Sequence, residues 1–133
     1  MTHKLVADWH RVVATGKREL LDEILSEDVV FHSPVVHSPQ RGKELAIKYL
    51  SSAFYVIKNE SFRYVREIVG ECDAALEFVT EIDGIVINGV DLIKWDDEGK
   101  IVDFKVMVRP LKAINLLHQK MAEILERFNL GTA

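Results

Sequence analysis

The sequence predicts one α+β domain over residues 1–133, in which helices cover one face of a strongly twisted antiparallel sheet. Two observations predict this fold class. Apolar residues recur at helical spacing in three segments before residue 58, and four strand-like segments follow one another after it. A chain of 133 residues, 48% of them apolar, is long enough for one hydrophobic core and too short for two ordinary domains.

The helices are predicted from apolar stripes and from the glycine or proline at their ends. The first helix stops at Gly16, a short second helix covers residues 20–25, and a third follows Gly42. Pro110 suits the first turn of a closing helix. The apolar stripe of the first helix is Leu5, Val6, Trp9, Val12 and Val13. The stripe of the closing helix is Ile114, Leu117, Met121, Leu125 and Phe128.

Four consecutive strands are predicted over residues 62–69, 74–82, 85–95 and 101–108. The Asp83-Gly84 and Glu98-Gly99 pairs sit where tight hairpins need a positive φ, so these strands should form an antiparallel meander. An earlier run, DVVFHSPVVHSPQRG, predicts a first strand and a short edge segment, because proline cannot donate to a strand ladder.

Alternation along each strand predicts which face is covered. On residues 74–82 the covered set is Ala74, Leu76, Phe78, Thr80 and Ile82, and on the last strand it is Val102, Phe104, Val106 and Val108. Asp91 shares its face with Ile87, Ile93 and Trp95, opposite Lys94, so we expect Asp91 to point inward. An ionised carboxylate is costly to bury. Asp91 should therefore have a hydrogen-bonding or charged partner, be in contact with water, or have a role in function.

Composition excludes several classes of function. With 17 basic and 21 acidic residues the net charge is −4, and no basic block is present, so nucleic acid is not expected as a partner. No apolar run approaches the ~20 residues that span a bilayer, so no membrane association is expected. The single Cys72 cannot form an internal disulfide, and the first residues lack a secretory pattern, which predicts a cytoplasmic protein. Neither metal-ligand spacing nor a cofactor fingerprint is present, so no metal and no cofactor are expected.

Four segments, in this order and at this spacing, resemble the SnoaL-like branch of the nuclear-transport-factor-2-like superfamily. They are SEDVVFHSP, RGKELAIKYL, GVDLIKWDDEGKIVDF and VMVRPLKAI. The resemblance implies a sheet curled into a cone-shaped half-barrel, with a deep, mostly apolar pocket between the sheet and the first and third helices. It also implies a homodimer that packs through the convex face of the sheet. It does not imply one reaction, because isomerases, cyclases, hydrolases, dehydratases and binding proteins share the fold.

The ketosteroid isomerases of this superfamily use a carboxylate base, a tyrosine donor and a protonated aspartic acid. The resemblance places Asp91 at the protonated-acid position, Ser33 at the base position and Trp9 at the tyrosine position. A serine needs its own base to abstract a carbon-bound proton, and an indole N–H donates but never accepts. Steroid-isomerase chemistry is therefore disfavoured. The epoxide-hydrolase pattern needs an arginine inside the cone, but Arg109 is predicted to point outward and Arg66 lies in a strand whose faces are ambiguous.

Asp91 is the predicted catalytic or orienting acid, and we expect Trp9 to face it across the cavity. The predicted ligand-binding residues are Trp9, Ser33, Tyr49, Phe78, Asp91 and Phe104. Two functions stay open for the same small apolar ligand: a cofactor-free isomerase, lyase, cyclase or hydrolase, and a binding module without catalysis. A second titratable group within hydrogen-bond reach of Asp91 would favour the enzyme. The alternative for Asp91 is a structural residue, and for Ser33 a turn before proline.

Overall fold

The computed structural model describes residues 3–131, with side chains through residue 127. Four helices and six strands lie within this range. They are α1 (Lys4–Thr15), α2 (Arg18–Ile24), β1 (Leu25–His32), β2 (Gln40–Arg41), α3 (Lys43–Ile57), β3 (Arg63–Val69), β4 (Asp73–Ile82), β5 (Ile85–Trp95), β6 (Ile101–Arg109) and α4 (Leu111–Gly131). The predicted elements are present at nearly the predicted positions.

The strands form one sheet in the order β2-β1-β6-β5-β4-β3, curled but not closed, with helices covering its inner face. The predicted α+β half-barrel is confirmed. The sheet is mixed rather than purely antiparallel, because β1 pairs in parallel with β6. Antiparallel pairing holds for the meander β3-β4-β5-β6 and for β1 with β2. The parallel pair arises because the chain passes through α3 and four strands, β2 to β5, before β6 returns beside β1.

Gly16 ends α1 in the way the sequence predicts. Its φ is 67°, and its N–H donates to the Val12 carbonyl oxygen at 2.8 Å. This left-handed conformation strains any residue with a Cβ. The cap turns the chain into α2, so that the apolar stripe of α1, which includes Trp9, stays against the sheet.

The inner faces of β4 and β5 are those predicted. Alternate residues of β4 are buried, namely Ala74, Leu76, Phe78, Thr80 and Ile82, and Asp91 is buried on β5 together with Ile87, Ile93 and Trp95. The prediction for β6 is wrong at one position. The ladder with β5 shifts so that Trp95 pairs with Ile101 and Lys94 with Asp103, which makes Ile101 the buried residue and leaves Val102 half-buried.

The apolar face of α4 is rotated by about one residue from the predicted stripe. Its buried residues are Ala113, Leu117, Met121 and Ile124. Ile114 and Leu125 are half-buried, and Phe128 lies outside the described side chains. None of the helices between residues 3 and 131 combines the length and apolar character that a membrane crossing requires.

The outer face of the sheet mixes charged and apolar side chains. Ile68 is 57% exposed and Met107 is 48% exposed, beside exposed Lys94, Lys105 and Arg109. This is the face through which the superfamily resemblance implies a homodimer. That partner stays a prediction.

Candidate ligand site on the inner face of the sheet

Asp91 is the acidic side chain on the buried wall of the sheet. It lies in the middle of β5, opposite Leu76 of β4 and Val106 of β6, and is 6% exposed. Removal from water disfavours the carboxylate, so burial raises the pKa of Asp91 from its usual value to about 7. Both the carboxylic acid and the carboxylate form of Asp91 are therefore accessible near neutral pH.

Tyr64 of β3 is the hydrogen-bond partner of this carboxyl group. Its hydroxyl donates to Asp91 Oδ2 at 2.6 Å, which opposes the effect of burial and lowers the Asp91 pKa. Burial, followed by the negative charge of Asp91, raises the pKa of Tyr64 above its usual range, so the phenol stays protonated. Among the described side chains no other group hydrogen-bonds the Asp91 carboxyl, so Oδ1 is left for the cavity.

Trp9 of α1 completes a chain of three side chains. Its indole N–H donates to the Tyr64 hydroxyl oxygen at 2.9 Å. The ring is 1% exposed and packs against Phe54 and Phe104, with ring centroids 5.4 and 4.8 Å away. Trp9 and Asp91 thus line one cavity, but Tyr64 joins them. The chain links α1, β3 and β5 and aims each donor toward the next acceptor.

Sequence reasoning missed Tyr64. Neither face of β3 is clearly apolar, because all of its residues except the half-buried Tyr64 are exposed. The ladder with β4 shifts between Tyr64 and Arg66, which places Tyr64 opposite Phe78 on the inner face but turns Arg66 outward beside Glu77. A uniform alternation would put Tyr64 and Arg66 on the same face. The signal that could have found Tyr64 is its spacing from Phe62, an aromatic residue two positions earlier.

The cavity beside Asp91 is far smaller than the deep pocket that the resemblance implies. Its volume is about 30 Å³, room for one or two water molecules. It is lined by Trp9, Val13, Leu50, Ala53, Phe54, Ile57, Lys58, Phe62, Tyr64, Phe78, Asp91, Phe104 and Val106, a set called the inner cavity below. Aromatic rings occupy most of the space between α1, α3 and the sheet.

Gly89 explains how Phe78 reaches into this space. A Cβ at position 89 would lie 2.3 Å from Phe78 Cζ and 3.0 Å from the Met107 carbonyl oxygen. Carbon atoms do not approach so closely. The absence of a side chain at Gly89 therefore lets the Phe78 ring lie across β5, where it stacks on Phe62 at 5.4 Å.

Four of the predicted ligand-binding residues line the inner cavity, namely Trp9, Phe78, Asp91 and Phe104. Ser33 and Tyr49 do not. The Ser33 hydroxyl accepts a hydrogen bond from the Val35 N–H at 3.2 Å, which is the turn before proline that was the alternative for this residue. Tyr49 is half-buried and packs against Phe31, with ring centroids 6.3 Å apart, because its position on α3 points toward β1.

Other candidate groups lie outside the inner cavity. Arg66 and Arg109 both line a shallow groove on the outer face of the sheet, so neither supplies the inward arginine of the epoxide-hydrolase pattern. The His32 Nε2 atom lies 2.9 Å from Asp103, also away from the cavity. His10 pairs with Glu67 and places its ring edge-on to Tyr64 at 5.3 Å. Within residues 3–131 no group of three or more His, Cys, Asp or Glu side chains is arranged to hold a metal ion.

Comparison with known proteins decides the family. The sequence model of the SnoaL-like domain matches residues 6–104. The chain belongs to the SnoaL-like family. No curated protein matches this SnoaL-like chain at a significant level.

Solved structures similar to this SnoaL-like chain agree. A crystal structure named steroid delta-isomerase, from Pseudomonas aeruginosa, is 31% identical with a TM-score of 0.89, over 95% of this chain and 92% of that one. An uncharacterised protein with a cystatin-like fold from Silicibacter pomeroyi is 33% identical with a TM-score of 0.85, over 92% of this chain and 85% of that one. The epoxide hydrolase/cyclase-like enzyme SalBIII shares the fold at 19% identity and a TM-score of 0.64, over 80% and 88% of the two chains. The fold family of this protein thus includes proteins named as isomerases and cyclases.

Proposed function

We propose that this SnoaL-like protein binds a small, mostly apolar molecule that carries a carbonyl oxygen, in the space between α1, α3 and the inner face of the sheet. The observation that carries the proposal is the hydrogen-bonded chain from Trp9 through Tyr64 to Asp91. It ends at a buried carboxyl group on an otherwise apolar wall.

The two oxygens of Asp91 have different roles in this proposal. Oδ2 accepts from Tyr64, so the proton of the acid form resides on Oδ1. Among the described residues Oδ1 has no protein acceptor, and its O–H can donate to the carbonyl oxygen of a ligand. A buried acid that titrates near pH 7 destabilises the fold relative to asparagine, and such groups cluster at functional sites.

Ligand binding requires the inner cavity to enlarge. Phe54, Phe62 and Lys58 lie on its solvent side, since the two phenylalanines are half-buried and Lys58 is exposed. These side chains come from the end of α3 and the connection to β3, whereas Trp9, Phe78 and Phe104 are fixed in the core. Rotation of the two outer rings opens the cavity without moving the acid.

The experiment follows the indole N–H signal of Trp9 by NMR while 3-cyclohexenone is added. Trp95 is the other tryptophan in the sequence and serves as an internal control, because it does not line the inner cavity. We expect a saturable shift of the Trp9 signal that is stronger at pH 5 than at pH 9, because only the acid form donates. Asp91→Asn, whose amide donates at both pH values, should bind independently of pH.

Two outcomes would contradict the proposal. One is the absence of a saturable Trp9 shift. The other is equal affinity for the ketone and for cyclohexene, which has the same shape without the carbonyl. Either would leave Asp91 as a structural residue.

A catalytic version of the same site is favoured by one observation. Tyr64 lies within hydrogen-bond distance of Asp91, so two titratable groups share the inner cavity. Asp91 in its ionised form would take a proton from the carbon between the carbonyl group and a β,γ double bond. It would return that proton to the far carbon of the double bond, so that the double bond shifts into conjugation with the carbonyl group. Because Ser33 lies outside the inner cavity, Asp91 has to act as the base itself.

The catalytic version is tested with the same 3-cyclohexenone, a β,γ-unsaturated ketone, whose conversion to the conjugated 2-cyclohexenone is followed by ultraviolet absorbance. The wild-type protein should convert it, and Asp91→Asn should not, because the asparagine amide is not basic enough to accept a proton from carbon. Undiminished turnover by the Asp91→Asn protein would contradict a catalytic role of Asp91. If the wild-type protein binds the ketone but does not convert it, the protein is a binding module without catalysis.

A further inference from the structure

A broad groove lies on the opposite side of α3 from the inner cavity. It has a volume of about 990 Å³. Its lining residues are Arg18, Glu27, Arg41, Gly42, Lys43, Glu44, Leu45, Ile47, Lys48, Ser51 and Arg127, a set called the arginine groove below. Neither the fold family nor the proposed function assigns it a role.

The charge of this groove is opposite to that of the protein. Five cationic and two acidic side chains line it, a net charge of +3, while the whole chain carries −4. Three of the seven arginines in the sequence are in it. Arg18 comes from α2, Arg41 from the edge strand β2 and Arg127 from α4, so three distant parts of the chain each contribute an arginine to the lining of one groove.

These three arginines have no partners within the described part of the chain. Neither ion pairs nor hydrogen bonds are made by the side chains of Arg18, Arg41 or Arg127 within residues 3–127, and all three are exposed. Lys43, by contrast, donates to the Asp22 carbonyl oxygen and lies 3.4 Å from Glu27. The two acidic side chains of the groove balance only part of its positive charge, and the excess like charges repel one another. An anion bound between the arginines would remove that repulsion.

We propose that the arginine groove binds a small phosphorylated molecule of about nucleotide size, through the guanidinium groups of Arg18, Arg41 and Arg127. Guanidinium groups match phosphate oxygens with paired N–H donors. The volume lies in the range of small-molecule sites, and the side chain of Leu45 offers an apolar surface to the rest of the ligand. The arginines surround one concavity rather than a line along the surface, which favours a compact ligand over a nucleic acid strand.

The test is isothermal titration calorimetry of the full chain at low salt, with inorganic pyrophosphate, AMP and adenosine as probes. We expect saturable binding of pyrophosphate and AMP, and none of adenosine. Arg18→Gln, Arg41→Gln and Arg127→Gln should each weaken the binding of AMP about tenfold, the effect of losing a charge-assisted hydrogen bond. Because these side chains are exposed, each variant should fold normally, which circular dichroism verifies.

Arg109→Gln is the matched control, because Arg109 is an exposed arginine on the outer face of the sheet. Binding that is unchanged in this variant and lost when all three groove arginines are replaced supports the proposal. No binding of pyrophosphate or AMP overturns it, and so does an equal loss with Arg109→Gln. A 20-nucleotide single-stranded DNA that binds more tightly than AMP would overturn the assignment to a small molecule.

Discussion

The two faces of β5 and β6 differ in the free energy that it costs to place a polar side chain on them. On the inner face Asp91 is 6% exposed among apolar residues, and the chain supplies Tyr64 and Trp9 to hold it. On the outer face Lys94 and Lys105 point into solvent, and neither makes an ion pair within the described residues. Polar residues on the two faces of the sheet thus have opposite requirements, because strand geometry turns successive side chains to opposite sides.

This difference shows where the fold has little tolerance. A polar group on the inner face must be satisfied by protein atoms, so its neighbours become fixed by it. A charge on the outer face is solvated and leaves its neighbours independent. Variants of neighbouring residues can measure the contrast directly.

The largest effect is expected on the inner face of β6. Phe104 is 1% exposed and contacts Trp9 and Phe31, so Phe104→Ala should lower the free energy of unfolding by about 3–5 kcal/mol through loss of burial and creation of a cavity. Lys105→Ala, the next residue on the outer face, should change it by less than about 0.5 kcal/mol. Urea denaturation measures both. Comparable losses would show that the two faces do not differ in tolerance.

The next effect is the pH dependence that Asp91 imposes. Its folded pKa is raised to about 7, so between pH 4 and 7 the folded protein holds a proton that the unfolded chain has released. Stability therefore falls as pH rises through this window, by on the order of a few kcal/mol, and is flat above it. Denaturation of the wild type and Asp91→Asn across pH 4 to 9 gives the difference. The variant should lack this slope and exceed the wild type in stability at pH 8, and parallel curves would contradict the raised pKa.

A smaller effect is expected for Tyr64→Phe, which removes one hydroxyl group and two hydrogen bonds. The Trp9 N–H loses its acceptor and Asp91 its donor, so the free energy of unfolding should fall by about 1–3 kcal/mol. The Asp91 pKa should rise above about 7, because Tyr64 lowers it in the wild type. Carbon-13 NMR of the carboxyl group measures this titration.

Tyr49→Phe is the control for this variant. Tyr49 is also half-buried on the helix side of the sheet, but its hydroxyl makes no hydrogen bond within residues 3–127. Its replacement should change stability by less than about 0.5 kcal/mol. An equal loss of stability in both variants would show that the two hydrogen bonds of Tyr64 do not contribute to the free energy of unfolding.

The smallest effect belongs to the outer face of β5. Lys94 lies opposite Asp73 and Asp103 in the two ladders but is exposed, so Lys94→Gln should change the free energy of unfolding by less than about 0.5 kcal/mol. Ile93→Ala, one residue earlier on the inner face, should cost about 2–5 kcal/mol. Thermal unfolding of the pair measures the contrast within one strand. A large loss with Lys94→Gln would show that the outer face is covered in solution.

The sequence predicts those parts of the fold that depend on local patterns. The hairpin at Asp83 and Gly84 is an example, since both residues have a positive φ, 53° and 79°, and the pair that demands it is visible in the sequence. The inward direction of the Asp91 side chain is another example, because Trp95 and Lys94 mark opposite faces of the same strand.

The unpredicted features depend on contacts between distant segments. The shifts at Tyr64 and at Val102 result from how two strands pair, and alternation within one strand carries no sign of them. The parallel pairing of β1 with β6 joins residues about 70 positions apart. The size of the inner cavity depends on the rotations of four aromatic rings, so the residue types at Phe54, Phe62, Phe78 and Phe104 do not determine it.

The close contact between Gly89 and Phe78 makes the residue allowed at each of these positions depend on the other. A relative that acquires a side chain at position 89 must also replace the ring at position 78 by a smaller group, because a Cβ and the ring cannot lie 2.3 Å apart. Such a double replacement would widen the inner cavity beside Asp91 while the acid stays in place. Gly89 and Phe78 together therefore determine how much of the space beside Asp91 is filled by an aromatic ring.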